Sequence, residues 1–364
     1  MIEEKNVTTE MTVEEMNKYL SWAYVSLIKG GKALKRFPSV MLWGAPGVGK
    51  SQGVRQVAKT IEEKTGKRVI VTDVRLLLFN PVDLRGIPTA NADKTLAVWL
   101  KPKIFQMDES EDVVNILFLD EISAASPSVQ AAAYQITLDR TVGEHRLPDN
   151  CIVIAAGNRV TDQSVAYAMP KALANRLLHI DVKADCTAWR RWALNTGIHH
   201  AVVGFLTQNP SLLVDDTKED IGNAFASPRS WEMVSNMLND VSDDVAKVFP
   251  LIKGCIGWNA AYLFRTWAEV YAKIPAPQDI CKGTELGIPV RAEGLYAVVS
   301  SLVAYLRQHY TDEDIDNAIA YVRRFRKEEF QIHFFQMLSE MKGACSAALR
   351  RNANYVLAME YYKK

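Results

Sequence analysis

Residues 44 to 51 read Gly-Ala-Pro-Gly-Val-Gly-Lys-Ser, and nothing else in this 364-residue chain restricts its fold as tightly. The octet follows the apolar run Val40-Met41-Leu42-Trp43 and precedes a helical-looking stretch, Gln52 to Lys64. A G-x-x-x-x-G-K-[ST] pattern between a buried strand and a helix predicts a loop whose backbone N–H groups curl around an oxyanion. Glycines allow that close approach, and the helix start adds the positive end of its dipole. At ordinary glycine usage a chance match arises in roughly one sequence in a hundred of this length, so the flanking strand and helix leave an ordinary glycine turn a weak alternative. Gly44, Ala45, Pro46, Gly47, Val48, Gly49, Lys50, Ser51 and Gln52 form the candidate phosphate-binding set. Lys50 is expected to reach the β- and γ-phosphates and Ser51 to ligate Mg²⁺.

Further short apolar runs follow at Arg68 to Thr72, Asn115 to Leu119, Cys151 to Ala156 and Leu177 to Val182, separated by helical stretches such as Ser128 to Leu138. Residues 14 to 35 read as a helical lead-in. Strands alternating with helices predict a parallel sheet covered on both faces. From about Asp185 the pattern turns helical throughout: Trp189 to Leu194, Ala201 to Leu206, Ser230 to Leu238, Ala260 to Ala272, Asp316 to Lys327 and Phe330 to Leu338. The aromatic residues of the last two, with Phe325 before them, read as core.

Seventy residues beyond Lys50 the run Ile116-Leu117-Phe118-Leu119 ends in Asp120-Glu121. Ligand sites of parallel α/β sheets lie at the C-terminal ends of the strands, where both carboxylates would stand. Asp120 is expected to complete the Mg²⁺ shell. Glu121 is expected to polarise the water that attacks the γ-phosphorus, since a carboxylate one hydrogen bond from that water serves as its base. The next strand ends in Gly157-Asn158, and Asn158 reaches the γ-phosphate if that strand lies between those bearing the phosphate loop and Asp120. Its bland alternative is a turn asparagine.

Charge narrows the partners. The 43 Lys and Arg nearly cancel the 42 Asp and Glu, leaving a net charge of +1, so no overall field draws the chain to nucleic acid or an anionic membrane. Cys151, Cys186, Cys255, Cys281 and Cys345 are odd in number and widely spaced, which fits neither a zinc site nor a disulfide framework and predicts reduced core thiols. The N-terminus is acidic, and the longest apolar stretch, Leu295 to Leu306, is far shorter than the roughly 20 residues that span a bilayer. The expectation is a cytoplasmic chain with no membrane insertion.

In this order of motifs the chain resembles the AAA+ ATPases, and its finer wording is similar to the MoxR branch. That wording comprises Asn80-Pro-Val-Asp-Leu-Arg-Gly-Ile-Pro88, Asp120-Glu-Ile-Ser-Ala-Ala-Ser-Pro127, Val129-Gln-Ala-Ala-Ala133, Leu138-Asp-Arg140 with Gly143-Glu144, and Ser227-Pro-Arg229. The resemblance covers residues 35 to 235 or so. It implies an α/β fold, a P-loop AAA+ αβα sandwich with a five-stranded parallel sheet over residues 1–184. An all-helical lid over 185–278 and a C-terminal helical extension over 279–364 follow. It also implies that Arg176, in Ala172-Leu-Ala-Asn-Arg176, acts in trans on a neighbouring subunit's nucleotide, and that Arg229 contacts the γ-phosphate in cis. The stretch Leu77 to Pro102 resembles the family's insertion in its second helix, and Arg140 to Pro148 the hairpin before the first sensor asparagine. Residues after about 280 carry no motif of the family. Adenine contacts are expected between Tyr19 and Pro38 and in the lid, without assignment to particular residues.

The function implied is Mg²⁺-dependent hydrolysis of ATP by a homo-oligomer, a hexameric ring, that remodels or activates a client protein with a von Willebrand factor A domain partner. One competing reading is a nucleotide-gated scaffold that recruits a partner without mechanical work; Glu121, Asn158 and Arg176 together count against it. A nucleic-acid motor or a GTP-using restriction subunit is disfavoured by the near-neutral charge and the absence of an N-K-x-D guanine-reading motif.

Overall fold

Thr12 opens the first helix in a computed structural model that describes residues 9–159, 169, 174–215, 224–271 and 273–362. Its hydroxyl accepts from the Glu15 amide, and the Glu15 carboxylate accepts from the Thr12 amide, a reciprocal cap that starts helix α1 (Val13–Lys29). The helix ends at Gly30, several residues before the lead-in expected to reach 35. The chain forms two compact units, Met1–Lys183 and Ala184–Lys364, each described here by itself.

The first unit is built on a parallel sheet. Its strands are β1 (Glu10–Thr12), β2 (Val40–Trp43), β3 (Arg68–Arg75), β6 (Val113–Asp120), β9 (Cys151–Gly157) and β10 (Leu178–Lys183), in the order β1-β10-β2-β9-β6-β3. Every neighbouring pair runs parallel. The expected count of five strands is corrected to six. The added strand, β1, pairs Glu10 with Asp181 and Thr12 with Lys183 at the outer edge of β10; three residues are too few to show a period-2 pattern in sequence. β6 and β9 are buried along nearly their whole length, as their unbroken apolar runs require of strands covered on both faces.

Helices α2 (Lys50–Thr65) and α4 (Pro127–Asp139) follow β2 and β6. Between β3 and β6 the expected insertion consists of a short helix, α3 (Pro81–Arg85), and an antiparallel hairpin, β4 (Ile87–Ala90) with β5 (Ala97–Leu100). A second hairpin pairs β7 (Thr141–Val142) with β8 (His145–Arg146), where Arg140 to Pro148 predicted one. The two hairpins touch: His145 Nε2 lies 2.8 Å from the Trp99 carbonyl oxygen.

The second unit is helical, with a single apolar cluster running from Trp189 to Ala358. Phe325, Phe330, Phe334 and Phe335 are all buried in it, as predicted. The helix expected over Asp316 to Lys327 is displaced to Asp312–Arg323, because Thr311 and Asp314 form a reciprocal cap four residues earlier. All five cysteines are free thiols. Burial pushes Cys151 up to about 11 and Cys281 up to about 12, which keeps both protonated and unreactive. No helix of the described residues is long and apolar enough to cross a membrane.

Candidate functional site

The parallel order places the C-terminal ends of β2, β9 and β6 side by side, and the polar residues leaving those ends converge. Gly44 follows β2 with φ at 150°, and a Cβ there would lie 2.5 Å from the Val182 carbonyl oxygen, so no other residue fits. Gly49 precedes α2 with φ at 102°. No side chain caps the start of α2, so its first amides point into the loop that the octet forms.

Lys50 is 8% exposed, and its Nζ donates to Asn158 Oδ1 at 2.9 Å, to the Ala45 carbonyl at 3.1 Å and to the Gly44 carbonyl. The condition set for Asn158 is met: β9 lies between β2 and β6. Ser51 Oγ donates to Asp120 Oδ2 at 2.8 Å. A hydroxyl and a carboxylate in contact form a hard-oxygen pair of the kind that takes Mg²⁺.

Glu121 occupies the left-handed region, with φ at 59°, immediately after the strand. Its amide donates to Asp120 Oδ1 at 2.9 Å, which holds the Asp120 carboxylate at the strand end. A non-glycine residue held there costs on the order of 1 kcal/mol, a strain that collects at functional positions. Asn158 is fixed from behind: its amide donates to Ser123 Oγ at 2.8 Å, while Gln130 Nε2 holds the Ser123 and Ala125 carbonyls at 3.1 Å each. Ser123 and Gln130 lie inside the wording quoted above, yet their spacing alone gives no hint of this support.

Arg176 stands elsewhere. It is the exposed third residue of the turn Ala174–Leu177, closed by the Leu177 amide on the Ala174 carbonyl at 3.3 Å. Leu178, two residues on, pairs with Val40 at the start of β2, whereas the phosphate loop follows the end of β2. Roughly 13 Å of strand separates the two levels, more than an arginine side chain covers, so Arg176 does not join Lys50 within one chain. Ala172 and Leu173 of its motif lie outside the described residues. Arg229 is the second residue of the helix Pro228–Asp240 in the second unit, where Ser227 caps the Ser230 amide.

Two histidines and an aspartate form a separate cluster, His199, His200 and Asp243, with candidate ligand atoms within 4.8 Å of one another. His199 Nδ1 accepts from the Ala201 amide at 3.2 Å, so its Nε2 carries the hydrogen shared with Asp243 at 2.9 Å. Metal ligation there would require both ring nitrogens bare of hydrogen, and the arrangement is a helix cap tied to a surface loop.

Fold and site together define a phosphate-binding loop at the C-terminal edge of a parallel sheet. Residues 39–179 match the model of the ATPase family associated with various cellular activities (AAA). The uncharacterized protein YeaC of Bacillus subtilis (strain 168) is 31% identical over 170 residues, which is 46% of this chain and 49% of that protein. The chain thus spans about half the length of that relative. Among solved structures, C. elegans PCH-2 aligns with a TM-score of 0.36 at 15% identity, over 70% of this chain and 67% of that one. A Thermotoga maritima RuvB variant aligns at 0.36 and 15%, over 80% and 83%. The Aeropyrum pernix ORC1 protein in complex with DNA aligns at 0.38 and 12%, over 96% and 83%.

Proposed function

We propose that this chain is a Mg²⁺-dependent ATPase of the MoxR type that assembles into a hexameric ring in the cytoplasm and remodels or activates a client protein, with a von Willebrand factor A domain protein as partner. The observation that carries the hydrolytic part is the convergence of Lys50 on Asn158 and of Ser51 on Asp120 at one edge of the sheet. The loop amides and Lys50 bind the β- and γ-phosphates. Ser51 and Asp120 hold Mg²⁺, which when bound neutralises charge on the phosphate oxygens. Glu121 takes the proton of the attacking water, and Asn158 orients that water against the γ-phosphate. The sheet register, which keeps Arg176 away from its own Lys50, supports its action on a neighbour. There its permanently charged fork stabilises the oxygens of the transferring phosphoryl group. Arg229 is assigned to the same γ-phosphate from the lid, residues 185–278, with residues 279–364 as a separate extension.

The test is ATP hydrolysis by the wild type, Lys50→Ala, Glu121→Gln and Arg176→Ala at concentrations where the chain assembles. All three variants are expected to lose turnover, Glu121→Gln while still binding ATP. Unchanged turnover in Glu121→Gln would sink the assignment of the base.

A further inference from the structure

Trp43 is the last residue of β2 and directly precedes Gly44. Its indole Nε1–H donates to His179 Nδ1 at 2.8 Å. The two rings lie 5° from parallel with centroids 6.1 Å apart, the side-by-side arrangement of an in-plane N–H···N bond. An indole nitrogen only donates, so Nδ1 of His179 is bare and Nε2 bears the ring's hydrogen. Nε2 gives it to the Ala174 carbonyl at 2.7 Å. That carbonyl also closes the turn on which Arg176 stands. A continuous donor chain therefore runs from the end of the phosphate-loop strand to the turn presenting the arginine.

A second contact reaches the same indole. Arg159, next to Asn158, places its guanidinium 5.4 Å from the centre of the Trp43 ring and pairs with Asp181 of β10. Lys50 donates to the Gly44 carbonyl, directly after Trp43, to the Ala45 carbonyl, and to Asn158, directly before Arg159. A γ-phosphate that draws Lys50 from Gly44 or Asn158 releases an acceptor next in the chain to Trp43 or Arg159. Both ends of the phosphate site thus bear on Trp43.

We infer that Trp43 and His179 are positioning residues that set the turn of Arg176 according to the nucleotide in the same subunit's phosphate loop, so that each site governs the arginine offered to its neighbour. This rests on the reading of Arg176 given above. Trp43 and His179 act through the Ala174 carbonyl and touch no reacting atom.

The test uses the full chain, with KM and kcat for ATP measured separately and the thermal midpoint as a control of folding. His179→Phe keeps a ring but neither nitrogen, and Trp43→Phe removes the donor at the other end. Each is expected to hold KM within about twofold and lower kcat about tenfold or more, since a displacement near 1 Å at a reacting group costs that much and beyond. His179→Gln, with an acceptor oxygen and a donor amide, is expected to regain most of the loss. Mixing supplies the decisive readout. His179→Phe subunits should recover turnover beside Glu121→Gln subunits, which still bind ATP and keep an intact Arg176. Subunits carrying both Glu121→Gln and His179→Phe should fail to rescue Arg176→Ala. Wild-type kcat in His179→Phe while Arg176→Ala is inactive would overturn the bridge alone, as would a defect that Glu121→Gln neighbours do not relieve. Full turnover in Arg176→Ala would instead overturn the reading of that arginine, and the bridge with it.

Discussion

Lys50 donates to two loop carbonyls and to Asn158, so it sits desolvated but hydrogen-bonded where the proposed phosphate site lies. Lys50→Ala is therefore expected to lower ATP affinity at least tenfold in a fluorescent-nucleotide titration, since hydrogen bonds to charged groups are worth about 1.5–3 kcal/mol each. Glu121→Gln keeps shape and removes the base, and its kcat should fall about 10²-fold or more with ATP affinity retained. Ser123→Ala leaves the Asn158 amide without its acceptor and should cost about 1–3 kcal/mol of stability, read as a lowered thermal midpoint, along with a lower kcat. The contrast between these residues marks what a sequence reveals. Lys50, Ser51, Asp120 and Asn158 are legible because each closes an apolar strand or a fixed octet. Ser123 on Asn158 spans 35 positions and Trp43 on His179 spans 136, and both depend on which strands lie together.

At the scale of elements, apolar runs announce five of the six strands within two or three residues, most plainly in β6 and β9, where burial on both faces leaves little room for polar residues. β1 escaped notice because its three residues gain their place from β10 rather than from a pattern of their own. The helix after Thr311 was misplaced because its cap, not its apolar stripe, fixes the first turn. Thr311→Ala should accordingly destabilise the helical unit by about 1 kcal/mol, visible as a shift in its urea midpoint. Gly44→Ala sets a Cβ 2.5 Å from a backbone oxygen of β10, at a φ that disfavours side chains. The end of β2 must then move, and nucleotide affinity should fall in the same titration used for Lys50→Ala.

For the whole molecule, acid acts on the helical unit through two half-buried histidines. Burial, with His199 beside it, lowers His200 to about 4, and burial with Arg190 nearby lowers His333 to about 4. Both lie below the ordinary 6.5, so their contribution is complete above pH 6.5 and is lost as pH falls toward 4. By pH 5 each should have removed about 2 kcal/mol, and calorimetry at pH 7 and pH 5 should show the helical unit's midpoint fall. The first unit has a different incompleteness. Lys50, Asp120, Glu121 and Asn158 meet at one edge of its sheet, while Arg176 is held away from them by the length of β2. The proposed hydrolytic site is one shared between subunits, and mixing two inactive variants tests it most directly. Glu121→Gln, which still binds ATP, and Arg176→Ala are each expected to be inactive alone and to regain ATP hydrolysis when combined, because an intact base then meets an intact arginine across one interface. Full activity of Arg176→Ala by itself, or a mixture as inactive as its parts, would contradict the shared site.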